Sequence, residues 1–162
     1  MGPNTLWGWL ATGLGLGYVP LIPGTAGAIA GVVPAVVMGR QRWGKRLITT
    51  VVLVVLAVPV CEYGSQIYGG DDDPRIVADE LLTMPVATVA LPVSRHPALL
   101  AGVFFTSRVL DNLKPPPARA AQRLHGGIGI VLDDVAANIW TLALGLIWWR
   151  YFGKPDRGRQ KQ

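Results

Sequence analysis

"LHGGIGIVLDDVAANIWTLALGLIWW", residues 124–149, carries only small, apolar or uncharged side chains apart from His125 and two adjacent aspartates, Asp133 and Asp134. Its charge-free part, Val135–Trp149, reads as a buried or lipid-facing helix. Burying one carboxylate is costly, and a second beside it raises the cost of ionising either. The stretch therefore fixes a helical, apolar fold and poses a question about the two acids.

The rest of the chain has the same character. Charged residues make up 15% of its 162 residues, against about 25% in an ordinary soluble domain. Mean hydropathy is +0.38. Further uncharged runs lie at Leu47–Cys61 and Leu81–Ser94, and residues 1–39 hold no charged side chain. Each of the three runs is shorter than the roughly 20 residues of a full crossing, and Pro20, Pro23 and Pro34 are expected to break up the N-terminal segment. Gly/Pro-rich stretches at 13–27, 69–74, 114–117 and 125–129 separate helical runs. "TTVVLVVLAV" has strand propensity, but its length and the lack of a partner strand favour a buried helix. The expected fold is all-α: a compact, membrane-associated helical bundle whose short apolar helices span or re-enter the membrane. Residues 1–152 form one domain, and 153–162 a basic, disordered tail. A soluble bundle with an unusually apolar core is the alternative.

Fifteen basic residues against ten acidic give a net charge of +5. Most of the basic ones fall in two clusters, at 40–46 and 150–161, beside apolar segments with aromatic ends. Such clusters suit anionic lipid at the cytoplasmic leaflet. They lack interleaved aromatics, so nucleic acid is not expected as a partner. The single cysteine, Cys61, excludes an internal disulfide framework. No basic residue precedes Arg40, so a signal peptide is not expected.

Three other stretches place polar residues in apolar sequence. "DPRIVADELLTM" sets Asp79 and Glu80 in a helix that Asp73 would cap and Pro74 would begin, with Arg75, Asp79 and Thr83 on one face. "FFTSRVLDNLKPPP" spaces Arg108, Asp111 and Lys114 by three residues, and Pro115 ends that helix. Taken alone, this could be a surface ion-pair ladder. "LGLGYVPLIPGTAG" is a Gly/Pro loop leading into an apolar helix, whose free N–H groups could hold an anion. The two acidic pairs lack enough nearby cations to balance them. Mg²⁺, a hard ion that takes carboxylate oxygens and substrate phosphate, is the natural missing charge. Arg108, Lys114 and His125 would then suit an anionic phosphate.

These segments, in this order, resemble the phosphatidylglycerophosphatase A family, most specifically "SRVLDNLKP" followed by "LHGGIGIVLDD", with "IVADEL" and "PGTAG" in support. The resemblance covers most of residues 13–140. It departs at Ala78, where the family often has Trp, at Ala28, where it usually has Ser, and at Pro115-Pro116-Pro117, where it often has Pro-Trp-Pro. It implies an all-helical, Mg²⁺-dependent lipid phosphatase that converts phosphatidylglycerophosphate to phosphatidylglycerol and phosphate at the bacterial inner membrane, with its active site facing the cytoplasm. Asp79, Glu80, Asp133 and Asp134 would hold one or two Mg²⁺, with Asp111 a further ligand or an orienting group. Arg108 and Lys114 would neutralise phosphate oxygens, and His125 would protonate the leaving alkoxide. Gly24, Thr25 and Gly27 would let the backbone approach the headgroup. Neither a DxDx[TV] sequence nor a C-x₅-R loop occurs, so direct attack by water is expected. A membrane cation-binding or transport protein, and a phosphatase of another phosphomonoester, are the competing readings. Self-association into a homo-oligomer stays open.

Overall fold

A computed structural model describes residues 5–70 and 73–153. Its regular structure is entirely helical: α1 (Leu6–Ala11), α2 (Pro23–Met38), α3 (Trp43–Tyr68), α4 (Ala78–Thr88), α5 (Pro97–Leu113), α6 (Ala118–Ala121) and α7 (Gly126–Phe152), with 3₁₀ turns at Leu16–Tyr18 and Val93–Arg95. The valine-rich run lies inside α3. The expected tail falls outside the described residues except for Gly153.

The short helix α4 is the axle of the bundle. Ala78, Asp79 and every residue from Thr83 to Thr88 are buried, enclosed by α2, α3, α5 and α7. Glycines on α2 allow the closest of these approaches. A Cβ on Gly27 would stand 2.8 Å from Val77 Cβ, and one on Gly31 would stand 2.7 Å from the Leu81 carbonyl oxygen. Only hydrogen at these positions lets two helix backbones meet. Two apolar clusters flank α4. One joins Ala57, Cys61, Ala78 and Val131, and the other joins Met84, Leu91, Leu99 and Val103.

The helices are longer than the uncharged runs suggest. α3 has 26 residues and α7 has 27, both apolar and long enough to cross a membrane. Each continues through acids, Glu62 in α3 and Asp133–Asp134 in α7, because these side chains find partners inside the bundle. Pro34 does not break the N-terminal segment either; it lies within α2, and Pro23 opens that helix at its first turn, where a missing N–H costs nothing. The outer faces of α2, α3 and α7 leave large apolar side chains exposed, among them Val33, Val51, Val55, Ile139, Trp140 and Ile147. So many exposed large apolar side chains on three helices suit a lipid-facing or partner-facing surface better than a water-facing one.

The α4 helix begins later than its sequence implies. Asp73 accepts from the Arg75 backbone N–H at 3.0 Å and from its guanidinium at 2.8 and 2.6 Å, making a closed turn rather than a helix cap. The Val77 N–H then donates to the Ala11 carbonyl at 3.0 Å, and α4 starts at Ala78. Arg75 therefore does not share a helical face with Asp79 and Thr83.

The long helices also separate features expected together. At one end, Glu62 of α3 accepts from the Gly127 N–H at the start of α7, at 2.8 Å. At the other, Arg46 donates to the Thr88 and Leu91 carbonyls, Ser94 to Gly39, and His96 packs on Trp149 near the end of α7. From Asp134 to Trp149 the axial rise is about 22 Å at ~1.5 Å per residue. α3 and α7 pair antiparallel, and Arg46 of the basic cluster meets the C-terminal end of α4 while Asp79 and Glu80 sit at its N-terminal end, so the two features are set apart along α4.

Candidate functional site

Asp79 and Glu80 occupy the first turn of α4, where the positive end of the helix dipole favours negative charge. Asp134 reaches them from α7. Each of the three offers a carboxylate oxygen, and these oxygens lie within 4.8 Å of one another. The cluster is enclosed: Asp79 is 9% exposed and Asp134 is 4% exposed. Burial, then the charges of Glu80 and Asp134, push Asp79 well above the usual carboxylate range. Burial also raises Glu80, against the opposing pull of a hydrogen bond to Asp79 and the nearby Arg108. Asp79 Oδ1 and Glu80 Oε2 are buried without a hydrogen-bond partner. Unpartnered buried carboxylate oxygens at this spacing call for a proton or a cation, and the hard-oxygen donor set fits Mg²⁺.

Asp134 is braced from behind. Thr83, fully buried on α4, donates to Asp134 Oδ2 at 3.4 Å. Asn138, one turn along α7, donates through Nδ2 to Thr83 Oγ1 at 3.0 Å. Its Oδ1 is buried without a partner. These two residues carry an orienting role that sequence reading did not assign them, although their helical spacing from Asp79 and Asp134 placed them on the right faces. Cys61 of α3 is also buried against the cluster, near enough to feel the charges of Asp79, Asp134 and Glu80. Glu62, overlooked as the end of an apolar run, anchors the start of α7 through its bond to Gly127.

Asp133, expected beside Asp134 as a metal ligand, points elsewhere. Neighbouring positions on a helix diverge by about 100°, so one of the pair turns to α4 and the other away. Asp133 Oδ2 accepts from Lys114 Nζ at 2.6 Å, and its Oδ1 accepts from the Asp134 N–H at 2.9 Å. Lys114 is not on the helical ladder with Arg108 and Asp111. It follows the last residue of α5 in the left-handed region (φ 45°), the conformation that commonly ends a helix, and its N–H donates to the Leu110 carbonyl. That turn swings its ammonium to α7. Burial alone would lower Lys114, but the bond to Asp133 and the surrounding carboxylates outweigh it and hold the group above its ordinary value.

Arg108 and Asp111 stay together on α5, 3.4 Å apart. Arg108 Nε is buried without a partner. A Cβ on Gly24 would collide with Glu80 Oε1 and lie 3.9 Å from Arg108 Nη1, so the first turn of α2, with Gly24 and Thr25, borders the cluster on the Arg108 side. Gly27 lies one turn deeper and packs on Val77. His125 is exposed at the start of α7 and lines a cleft of about 180 Å³ with Arg123 and Asp133, on the far side of Asp133 from the three-carboxylate cluster. The site therefore has a buried anionic centre, an arginine at its edge with an unused donor, and a Lys114–Asp133 pair beside it. That arrangement can hold a cation and a phosphate together.

The phosphatidylglycerophosphatase A family model matches residues 9–149. Phosphatidylglycerophosphatase A of Escherichia coli (strain K12) is 34% identical over 134 residues, covering 82% of this chain and 77% of that protein. Phosphatidylglycerophosphatase A of Haemophilus influenzae is 33% identical over 135 residues, 82% of each. A Bacteroides thetaiotaomicron protein with a provisional phosphatidylinositol-3-phosphatase name is 30% identical over 147 residues, 88% of this chain and 92% of its own. No solved structure matches the chain. The match across nearly all described helices, including every segment that builds the carboxylate cluster, makes this chain a member of the phosphatidylglycerophosphatase A family.

Proposed function

We propose that this phosphatase-family enzyme removes the terminal phosphate of phosphatidylglycerophosphate at a membrane, using Mg²⁺ held by Asp79, Glu80 and Asp134. The observation that carries the reading is the trio of buried carboxylates with two unpartnered oxygens, set beside Arg108 in a bundle with an apolar outer surface. Bound Mg²⁺ would supply Lewis-acid polarisation of the phosphate. The chain's own groups do the rest. Arg108, with its free Nε, binds and orients phosphate oxygens. Lys114 adds a second positive charge and holds Asp133 away from the cluster. Thr83 and Asn138 fix the rotamer of Asp134. Asp111 orients Arg108, and the first turn of α2 leaves room for the headgroup. His125 is exposed and shares a cleft with Arg123 and Asp133.

The bacterial inner membrane fits the two long apolar helices.

A second reading, a phosphatase of another lipid phosphomonoester, draws on the phosphatidylinositol-3-phosphatase name of the Bacteroides relative. The transport reading loses ground, because Arg108 and Lys114 set positive charge beside the acidic groups, which suits a phosphate better than a passing cation. Purified protein in mixed micelles with Mg²⁺, offered phosphatidylglycerophosphate, phosphatidylinositol 3-phosphate and phosphatidic acid at equal surface density, separates these. The first substrate should be turned over fastest. Faster release from either of the others reassigns the substrate, and no release from any returns the chain to the ion-binding reading.

A further inference from the structure

The end of the bundle remote from the carboxylates carries a second polar feature, and it is entirely basic. Among the described residues every acid falls in the segments 62–80 and 111–134, at the carboxylate end. The linker between α2 and α3 and the turn after α4 enclose a cavity of about 360 Å³, lined by Arg40, Arg46 and Arg95 together with Gln41 and Ser94. Ser94 Oγ donates to the Gly39 carbonyl at 3.0 Å and ties the two walls. Arg46 Nη2 donates to the Thr88 and Leu91 carbonyls, both at 2.7 Å, so this side chain is fixed in place by the C-terminal end of α4. None of the three guanidiniums pairs with a carboxylate among the described residues.

Three arginines lining one cavity without a counter-charge repel one another, so an anion between them lowers the free energy of the arrangement. A second, independent feature has the same sign. The 26-residue helix α3 begins next to this lining, at Trp43, with no acid in its first turn and no side-chain cap, so the positive end of a long dipole lies nearby.

The surroundings choose the kind of anion. Trp43, Trp148 and Tyr151 are exposed at this end, as aromatic side chains are at the headgroup level of a bilayer. Directly along α3 from the cavity, Leu47, Ile48 and Val51 are exposed and apolar, a surface for acyl chains rather than for water. We propose that the Arg40–Arg46–Arg95 cavity binds the phosphodiester headgroup of an anionic phospholipid, at a site separate from the carboxylate cluster. The two non-ester oxygens of a phosphodiester match the paired donors of Arg40 and Arg95, and Arg46 closes the floor. The proposal does not depend on the phosphatase reading. A free phosphate shares the headgroup chemistry but makes no use of the apolar face.

The test is lipid binding by the full chain in detergent, followed by native mass spectrometry with phosphatidylglycerol, phosphatidylcholine and inorganic phosphate as probes. Arg40→Gln/Arg95→Gln should weaken phosphatidylglycerol retention about tenfold and leave phosphatidylcholine unchanged. Arg42→Gln/Lys45→Gln removes the same charge from the same segment without touching the cavity, and should change retention little. Thermal midpoints of both variants should stay at the wild-type value, since neither pair holds the fold. Equal losses in the two variants would reduce the site to diffuse charge and overturn the proposal. So would displacement of the lipid by millimolar inorganic phosphate, which would mark a free-anion site.

Discussion

Replacing Asp134 by Asn tests the idea that three carboxylates are held together for a cation. In the absence of metal the trio repels itself. Two unit charges no more than 4.8 Å apart at an effective dielectric of ~20 interact by roughly 3.5 kcal/mol or more. A shared proton already relieves part of this, so the neutral amide should stabilise the metal-free protein by about 3 kcal/mol at pH 8. For a chain of this size that is an upward shift of roughly 6–12 °C in the thermal midpoint. Asn can still accept the Thr83 hydroxyl, so the local packing survives. The order should reverse with Mg²⁺. Wild-type protein gains about 2.7 kcal/mol at a hundredfold excess over the dissociation constant, and the variant loses most of that gain. Turnover should fall at least about a hundredfold, ~3 kcal/mol of transition-state stabilisation. The assay is thermal unfolding in detergent with EDTA or Mg²⁺, paired with phosphate release. A variant less stable than wild type in EDTA, together with a wild-type midpoint that Mg²⁺ does not move, would refute the reasoning.

Other consequences can be checked alongside. Because burial raises Asp79 and Glu80, their contribution to metal-free stability is full below their unfolded values near pH 4 and is lost as pH rises through the folded ones. The midpoint in EDTA should therefore fall between pH 5 and 9, and Mg²⁺ should flatten the slope; Asp73, held low by Arg75, acts only below that window. Thr83→Val should raise the Mg²⁺ concentration needed for half-maximal activity by about 10- to 100-fold, with saturating turnover much less affected, as expected for an outer partner of a ligand; equal loss at saturating Mg²⁺ would count against the orienting role. Lys114→Ala should lower both turnover and stability, because it leaves Asp133 buried without its partner, whereas an exposed ladder pair would cost only about 0–1 kcal/mol and no turnover. Single cysteines in a Cys61→Ala background, introduced as Gly44→Cys or Arg95→Cys and as Gly70→Cys or Arg119→Cys, should be labelled from opposite sides of sealed vesicles; labelling of all four from one side would mean that the long helices lie along the membrane.

The helical class was legible because no second strand-like run exists to pair with the valines of α3, whereas the prolines misled, Pro34 lying inside α2 rather than breaking it. The acidic positions were legible for a physical reason: carboxylates in apolar sequence demand compensation. What the chain could not reveal in one dimension was direction. Asp133 and Asp134 are adjacent in sequence but point about 100° apart, so one joins the cluster and the other meets Lys114. Lys114 looked like the end of a helical ladder, yet it caps α5 in a left-handed conformation that turns its side chain to α7. Thr83 and Asn138 gave no signal beyond spacing, since a buried threonine or asparagine is informative only when its partner is known. The glycines of "PGTAG" suggested room for a ligand. Gly24 borders Glu80 and Arg108 as such a role requires, whereas Gly27 serves the contact between α2 and α4. The separation of the basic cluster from the carboxylates follows from the antiparallel pairing of α3 and α7, which no local pattern encodes.

The central claim, that the buried trio serves a Mg²⁺-dependent hydrolysis of a lipid phosphomonoester, is tested most directly by one measurement. Purified full-length protein is assayed for phosphate release from phosphatidylglycerophosphate in mixed micelles, first in EDTA and then across a Mg²⁺ titration. The account predicts negligible release in EDTA, saturable restoration by Mg²⁺, and no restoration in Asp79→Asn or Asp134→Asn at the concentration that saturates wild type. Full turnover in EDTA, or wild-type response to Mg²⁺ in both variants, would contradict it.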